Sequence, residues 1–205
     1  MKKIFYLILI IIILGLSYLK WSAATMEKSV IETTTTPSPS STPQPQPSQS
    51  LETDYFKLDY PLEATSSSVS EGPDSLGWRI SYMGATQKNS GRTQTELFDG
   101  YIVTLTRFEV IGTQVDLEQA SADRLGIIDA CGDDKATKIE SAKLGAYDAL
   151  TYFGGCLGEA NHYYILVADS LYRLTEMVVG PESSIPQYQQ STKLIFDSLN
   201  FSDDK

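Results

Sequence analysis

The chain is poor in the residues that carry most metal and nucleophile chemistry. Its 205 residues include one histidine, His162, and two cysteines, Cys131 and Cys156. A structural zinc site takes about four Cys or His ligands, so these three side chains cannot supply one. Positive charge is also scarce: 16 Lys and Arg stand against 26 Asp and Glu, for a net charge of −10. A surface that negative repels phosphate backbones, which argues against a nucleic-acid partner. It equally disfavours docking on anionic lipid, so any membrane contact must come through an inserted segment. No motif names a reaction, and nothing calls for a cofactor.

What is present begins with such a segment. "MKKIFYLILIIIILGLSYLK" opens on Lys2 and Lys3 and runs uncharged from Ile4 to Leu19. That run is slightly short of the roughly 20 residues needed to cross a bilayer. Extension to Ala24 makes a span workable, with Lys20 snorkelling and Trp21 in the interfacial belt. The alternative is a signal peptide cleaved after Ala24, where "WSAAT" offers small residues. The basic residues stay on the cytoplasmic side, so both readings send the rest of the chain outward. Residues 1–24 are thus expected to anchor a single-pass protein in the cell membrane, or to release a secreted one. A lipoprotein anchor is excluded because no cysteine lies nearby.

Residues 25–52 read as a disordered stalk. Within them "TTTTPSPSSTPQPQPSQS" contains only Thr, Pro, Ser and Gln, and such a segment cannot bury apolar surface to offset its chain entropy. Its prolines favour the extended polyproline conformation, enough to hold a domain about 50 Å from the membrane.

Residues 53–205 have the composition of a folded domain. "YFKLDYP", "GWRISYMG" and "LFDGYIVTLTRFEVI" read as strands, the second with Trp78, Ile80 and Tyr82 on one face. "TSSSVSEGPDSL" and "ATQKNSGRTQTE" read as polar loops. The spacing then predicts a helix over 117–128, N-capped by Asp116, with Leu117, Ala120, Ala122, Leu125 and Ile128 on its apolar side. Two short strands follow, bent around Leu144-Gly145-Ala146, and "NHYYILVADSLYRLTEMVVG" is a hairpin turning at Ala168-Asp169-Ser170. Pro186 opens a closing helix with Tyr188, Ile195 and Leu199 on one face. The order predicts an α+β domain built on a twisted, mostly antiparallel sheet flanked by helices.

"YFKLDYP", "GWRISY", "YYILVADSLYRLTEMVVG" and the closing "IFDSLNF" together resemble the PsbP-like family of photosystem II extrinsic proteins and their bacterial relatives. The resemblance spans about residues 53–202. It implies the same antiparallel fold, and binding or assembly work outside a membrane without catalysis. The chain departs from photosynthetic members in carrying its own anchor and stalk. With His162 alone, no histidine-based metal site carries over.

"GGCLGEANHYY" places Cys156 six residues before His162. As nucleophile and base they would need hydrogen-bond reach and a third group, Asn161 or Glu159, to orient the ring. The competing reading is a disulfide from Cys131 to Cys156, favoured by export, an even cysteine count and the glycine-bearing loops "ACGDD" and "GGCLG". In "IDACGDDK", Asp129, Asp133 and Asp134 could offer oxygen to calcium, but the spacing fails the EF-hand pattern and a solvated turn fits as well. Tyr163, Tyr164, Tyr172, Tyr188, Trp78 and Phe108 could line a ligand groove or fill the core. The expected function is a membrane-tethered module binding a protein or envelope component. The competing class is an anchored hydrolase, which would need a perturbed carboxylate pair or an activated Cys156.

Overall fold

The computed structural model describes residues 47–70, 75–93, 96–110, 114–156 and 158–202. The anchor expected at 1–24 and most of the stalk expected at 25–52 lie outside them. Among the described residues, no helix is long and apolar enough to cross a membrane.

The strands are β1 (Ser48–Glu52), β2 (Phe56–Pro61), β3 (Thr65–Val69), β4 (Ser75–Met83), β5 (Gly100–Glu109), β6 (Glu140–Leu144), β7 (Tyr147–Gly154), β8 (Ala160–Val167), β9 (Ser170–Val179) and β10 (Asn200–Phe201). The helices are α1 (Ala85–Asn89), α2 (Val115–Cys131) and α3 (Ile185–Ser198). Strands β1, β2 and β10 form a small sheet, and the other seven form a larger one in the order β3-β4-β5-β9-β8-β7-β6. All pairings are antiparallel. This is the α+β architecture that the pattern predicted.

The spine is the ladder of β5 and β9, in register from Gly100↔Val179 to Glu109↔Ser170. Both strands are rich in β-branched and aromatic residues, which suit a pleated surface buried on both sides. Alternation sends Tyr101, Val103 and Leu105 to one face with Tyr172 and Leu174. There they meet Phe56, Leu58 and Tyr60 of β2 and Tyr188, Ile195 and Phe196 of α3, all buried. Trp78, Ile80 and Tyr82 pack on this same core. The β8–β9 turn falls at Ala168-Asp169, with Ala168 in the left-handed region at φ 50°. Between β6 and β7, Gly145 takes φ 58°, and a Cβ there would lie 2.7 Å from the Phe196 carbonyl oxygen.

Three polar stretches depart from expectation. Residues 48–52, assigned to the stalk, form edge strand β1: Leu51 packs on the core, and the Gln49 amide donates to the carbonyls of Leu62 and Ala64 at 3.2 and 3.0 Å. The serine run after Thr65 is edge strand β3, exposed from Thr65 to Ser68 and paired to β4 through its backbone. The loop after Gly84 contains α1, organised by a fully buried Gln87. The Gln87 Oε1 accepts the amides of Phe98 and Asp99, both at 3.1 Å, and its Nε2 donates to the carbonyls of Arg92 and Glu96. Polar composition alone reads as loop because each strand or helix here is made by backbone pairing with the next strand or by side-chain bonds, not by an apolar period.

The same loop fixes α3. Asp99 is 2% exposed; its Oδ2 accepts the Thr86 amide at 2.8 Å and its Oδ1 accepts the Tyr188 hydroxyl at 2.7 Å. Burial alone would raise its pKa, but the bonds from Tyr188 and Thr86 outweigh burial and hold it below the ordinary value. Such a group stabilises the fold above the ordinary carboxylate range and loses that contribution as pH falls through its folded-state pKa. We expect Tyr188→Phe to lower unfolding free energy by about 1.5–3 kcal/mol at pH 7, read from the urea midpoint at unchanged slope. The deficit should narrow as pH falls below the ordinary carboxylate range and through the lowered folded-state pKa of Asp99. A loss under about 0.5 kcal/mol at pH 7 would refute this role.

Candidate functional site

Helix α2 covers part of the second face of the large sheet, over β7 and β8. It is longer than the predicted 117–128 and is rotated from the predicted face. Ala120 is fully buried, with Ile127 and Ile128 packed beside it. Leu117 and Leu125 are 45% and 53% exposed, and Ala122 is exposed as well. Asp116 is not the N-cap: Gln114 holds that place, and Asp116 Oδ1 accepts the Leu117 amide at 2.9 Å from inside the helix.

The rotation follows from polar ties that apolar spacing does not encode. Asp123 Oδ2 accepts the Tyr164 hydroxyl at 2.7 Å and the Arg173 guanidinium at 3.0 Å, while Oδ1 accepts the Gln119 amide at 2.8 Å. Arg124 Nε donates to the Thr137 carbonyl, and Nη2 to that of Ala136 at 3.4 Å. At the helix C-terminus, Cys131 is disulfide-bonded to Cys156, 25 residues on, with Cα atoms 5.5 Å apart. In the chain-entropy model a bridge of that span contributes about 3.5 kcal/mol.

Between α2 and the sheet lies an open cleft of about 440 Å³. Ala122, Asp123, Gly126 and Ile127 form its helical wall; Tyr152, His162, Arg173 and Thr175 form its floor, with Cys156 at the rim. The floor follows from register. Tyr152 pairs with His162, His162 with Thr175, and Tyr164 with Arg173, across three neighbouring strands. The Tyr152 and His162 rings stack with centroids 4.7 Å apart, and the Arg173 guanidinium lies over Phe108.

His162 Nε2 lies 3.2 Å from the Gly154 carbonyl and Nδ1 lies 3.4 Å from the Thr175 hydroxyl. A carbonyl only accepts, so the network assigns the proton to Nε2 and leaves Nδ1 to accept from Thr175. Burial lowers the His162 pKa, against the opposing effect of the Gly154 bond. Burial likewise raises Tyr152 and Tyr164, and Tyr164 is pushed further by its bonds to Tyr152 and Asp123.

The two residues of the proposed nucleophile pair do line one cleft, but the Cys156 sulfur is bonded to Cys131 and offers no thiolate. Asp129 is exposed in the last turn of α2, and Asp133 and Asp134 are exposed in the 3-10 turn that follows. Among the described residues, no three His, Cys, Asp or Glu side chains converge to hold a metal. Tyr164, Tyr172 and Tyr188 are buried in the cores, and Trp78, Tyr163 and Phe108 pack against them. Sequence reading missed Asp123, Arg173, Thr175 and Gly126. The one visible signal was a glycine in mid-helix. A second hollow of about 740 Å³ also borders Cys156; Phe153, 41% exposed, lines it together with Ile102, Met177 and Val179.

No protein-family model matches the chain, and no curated protein does. Among solved structures the fold is similar to cyanobacterial PsbP (CyanoP) from Synechocystis sp. PCC 6803, at TM-score 0.47 and 12% identity, covering 78% of this chain and 96% of that one. It is similar to a Bacteroides thetaiotaomicron protein at TM-score 0.37 and 9% identity, covering 73% of this chain and 46% of that one. Likeness at this level assigns neither family nor function.

With one histidine in the chain, NMR of its ring protons reports the cleft directly. Its midpoint should lie below the ordinary value of about 6.5. The unfolded chain then binds the proton first, so stability falls as pH drops from about 6.5 toward the folded-state midpoint. His162→Gln should remove that part of the pH dependence. A midpoint at or above 6.5 would contradict the buried, neutral ring.

Proposed function

We propose that the chain is a membrane-tethered, extracytoplasmic binding or assembly module that catalyses no reaction of its own. The reading rests first on the state of the cleft. Cys156 is held in a disulfide, His162 is neutral and engaged at both nitrogens, and the cleft's one carboxylate accepts three hydrogen bonds. A general acid–base pair needs a second titratable group placed against a reacting atom. In this cleft, Asp123 instead joins helix to sheet.

The tether is supported by the uncharged run between Lys3 and Lys20 and by the proline-rich segment that follows it. A disulfide from the end of α2 to the loop after β7 also suits an oxidising compartment outside the cytosol. The partner is a protein or an envelope component; the net charge of −10 disfavours nucleic acid.

Fractionation tests the tether. The full-length chain should sediment with membranes and resist carbonate extraction, and protease added to the outer side should release a soluble fragment by cutting within residues 25–46. Recovery of the intact chain from cytosol, or protection of the domain from external protease, would overturn the reading.

A further inference from the structure

We propose that the cleft between α2 and the sheet binds a neutral saccharide, one ring or a short stretch of a glycan chain. This rests on the reading of the protein as a binding module and names its ligand class. The cavity, about 440 Å³, falls within the range of small-ligand sites. It is open along one side, so a chain can lie through it.

The helical wall is kept low by residues that packing does not require. Gly126 sits inside a seventeen-residue helix, where glycine costs about 1 kcal/mol relative to alanine. A Cβ added there would meet nothing within 4 Å. Its one structural effect would be to narrow the cleft. Ala122, one turn earlier on the same wall, is also small.

Charge then selects the ligand. Asp123 and Arg173 neutralise each other at 3.0 Å, with side chains only 22% and 21% exposed. An anion at Arg173 would also face Asp123, and a cation at Asp123 would also face Arg173, so neither gains a net attraction. The imidazole adds no charge. A neutral ligand avoids that conflict.

The polar groups that remain suit hydroxyls. Asp123 has about four acceptor sites, of which three donors occupy part. The Thr175 hydroxyl gives its proton to His162 Nδ1 and keeps lone pairs that accept from a ligand hydroxyl. Sugar hydroxyls can therefore donate both to Thr175 and to Asp123. Ile127 and the half-buried His162 ring, which is backed by the buried Tyr152 ring, offer apolar surface for the C–H face of a pyranose.

The test uses the full-length chain in a sugar-free detergent. His162 ring signals are followed while chitotetraose, cellotetraose or an acidic oligogalacturonate is added. A neutral oligosaccharide should shift the His162 signals saturably, bind at least tenfold tighter than the acidic one, and be recovered uncleaved. Gly126→Leu should weaken binding at least tenfold while keeping the thermal midpoint of the parent or raising it. Thr175→Val should weaken it severalfold, as a second variant that leaves the helix untouched. Absence of any shift, equal binding by both variants, or preference for the acidic sugar would overturn this ligand class and leave the binding-module reading standing. Cleavage of the bound sugar would instead overturn that reading.

Discussion

The Asp123 carboxylate collects a tyrosine hydroxyl, a guanidinium and a glutamine amide, and by doing so ties α2 to β8 and β9. Besides this tie and the Arg124 bonds to Ala136 and Thr137, the helix packs Ala120, Ile127 and Ile128 on this side. Only Ala120 is fully buried along it, whereas α3 sinks Tyr188, Ile195 and Phe196 into the opposite core. A helix docked by apolar ridges would close down on the sheet at native packing density. One held at a carboxylate in its middle and a disulfide at its end can stand off, and the cleft is the space left between those points.

A largely buried ion pair is a poor device for stability, since desolvating both charges can offset their attraction. Its value here is positional. Arg173 is aligned by Asp123 and by the Phe108 ring, and Tyr164 is aligned by Asp123 and Tyr152. The floor beside it is rigid because its side chains come from neighbouring strands in fixed register. The two faces of the sheet therefore do different work. One is packed with aromatic and aliphatic side chains around α3 and the small sheet, and the other carries polar groups held in place around a hollow.

The contrast explains what the sequence made legible. Strands β4, β5, β8 and β9 and helix α3 were readable because their apolar residues recur at period 2 or near 3.6 and bury where the period says. The pairing of Cys131 with Cys156 was readable from the even cysteine count and the glycine-bearing stretches around both residues. Leu117 and Leu125 misled, because helical spacing marks an apolar stripe without saying that Asp123 will point to the sheet. Strands β1 and β3 were hidden for a related reason: serine, threonine and glutamine gain their strand geometry from the backbone of β2 and β4. Asp123 and Arg173 stand fifty positions apart, and no local pattern joins them.

Amide hydrogen exchange with the disulfide intact and then reduced measures the dependence of α2 on its ties most directly. If the helix is held at Asp123 and Cys131 rather than by burial, reduction should cut protection of the amides in 115–131 by roughly a hundredfold or more, while those of β5 and β9 keep theirs. Unchanged protection of α2 after reduction would contradict the account, as would a loss spread evenly through β5, β9 and α3.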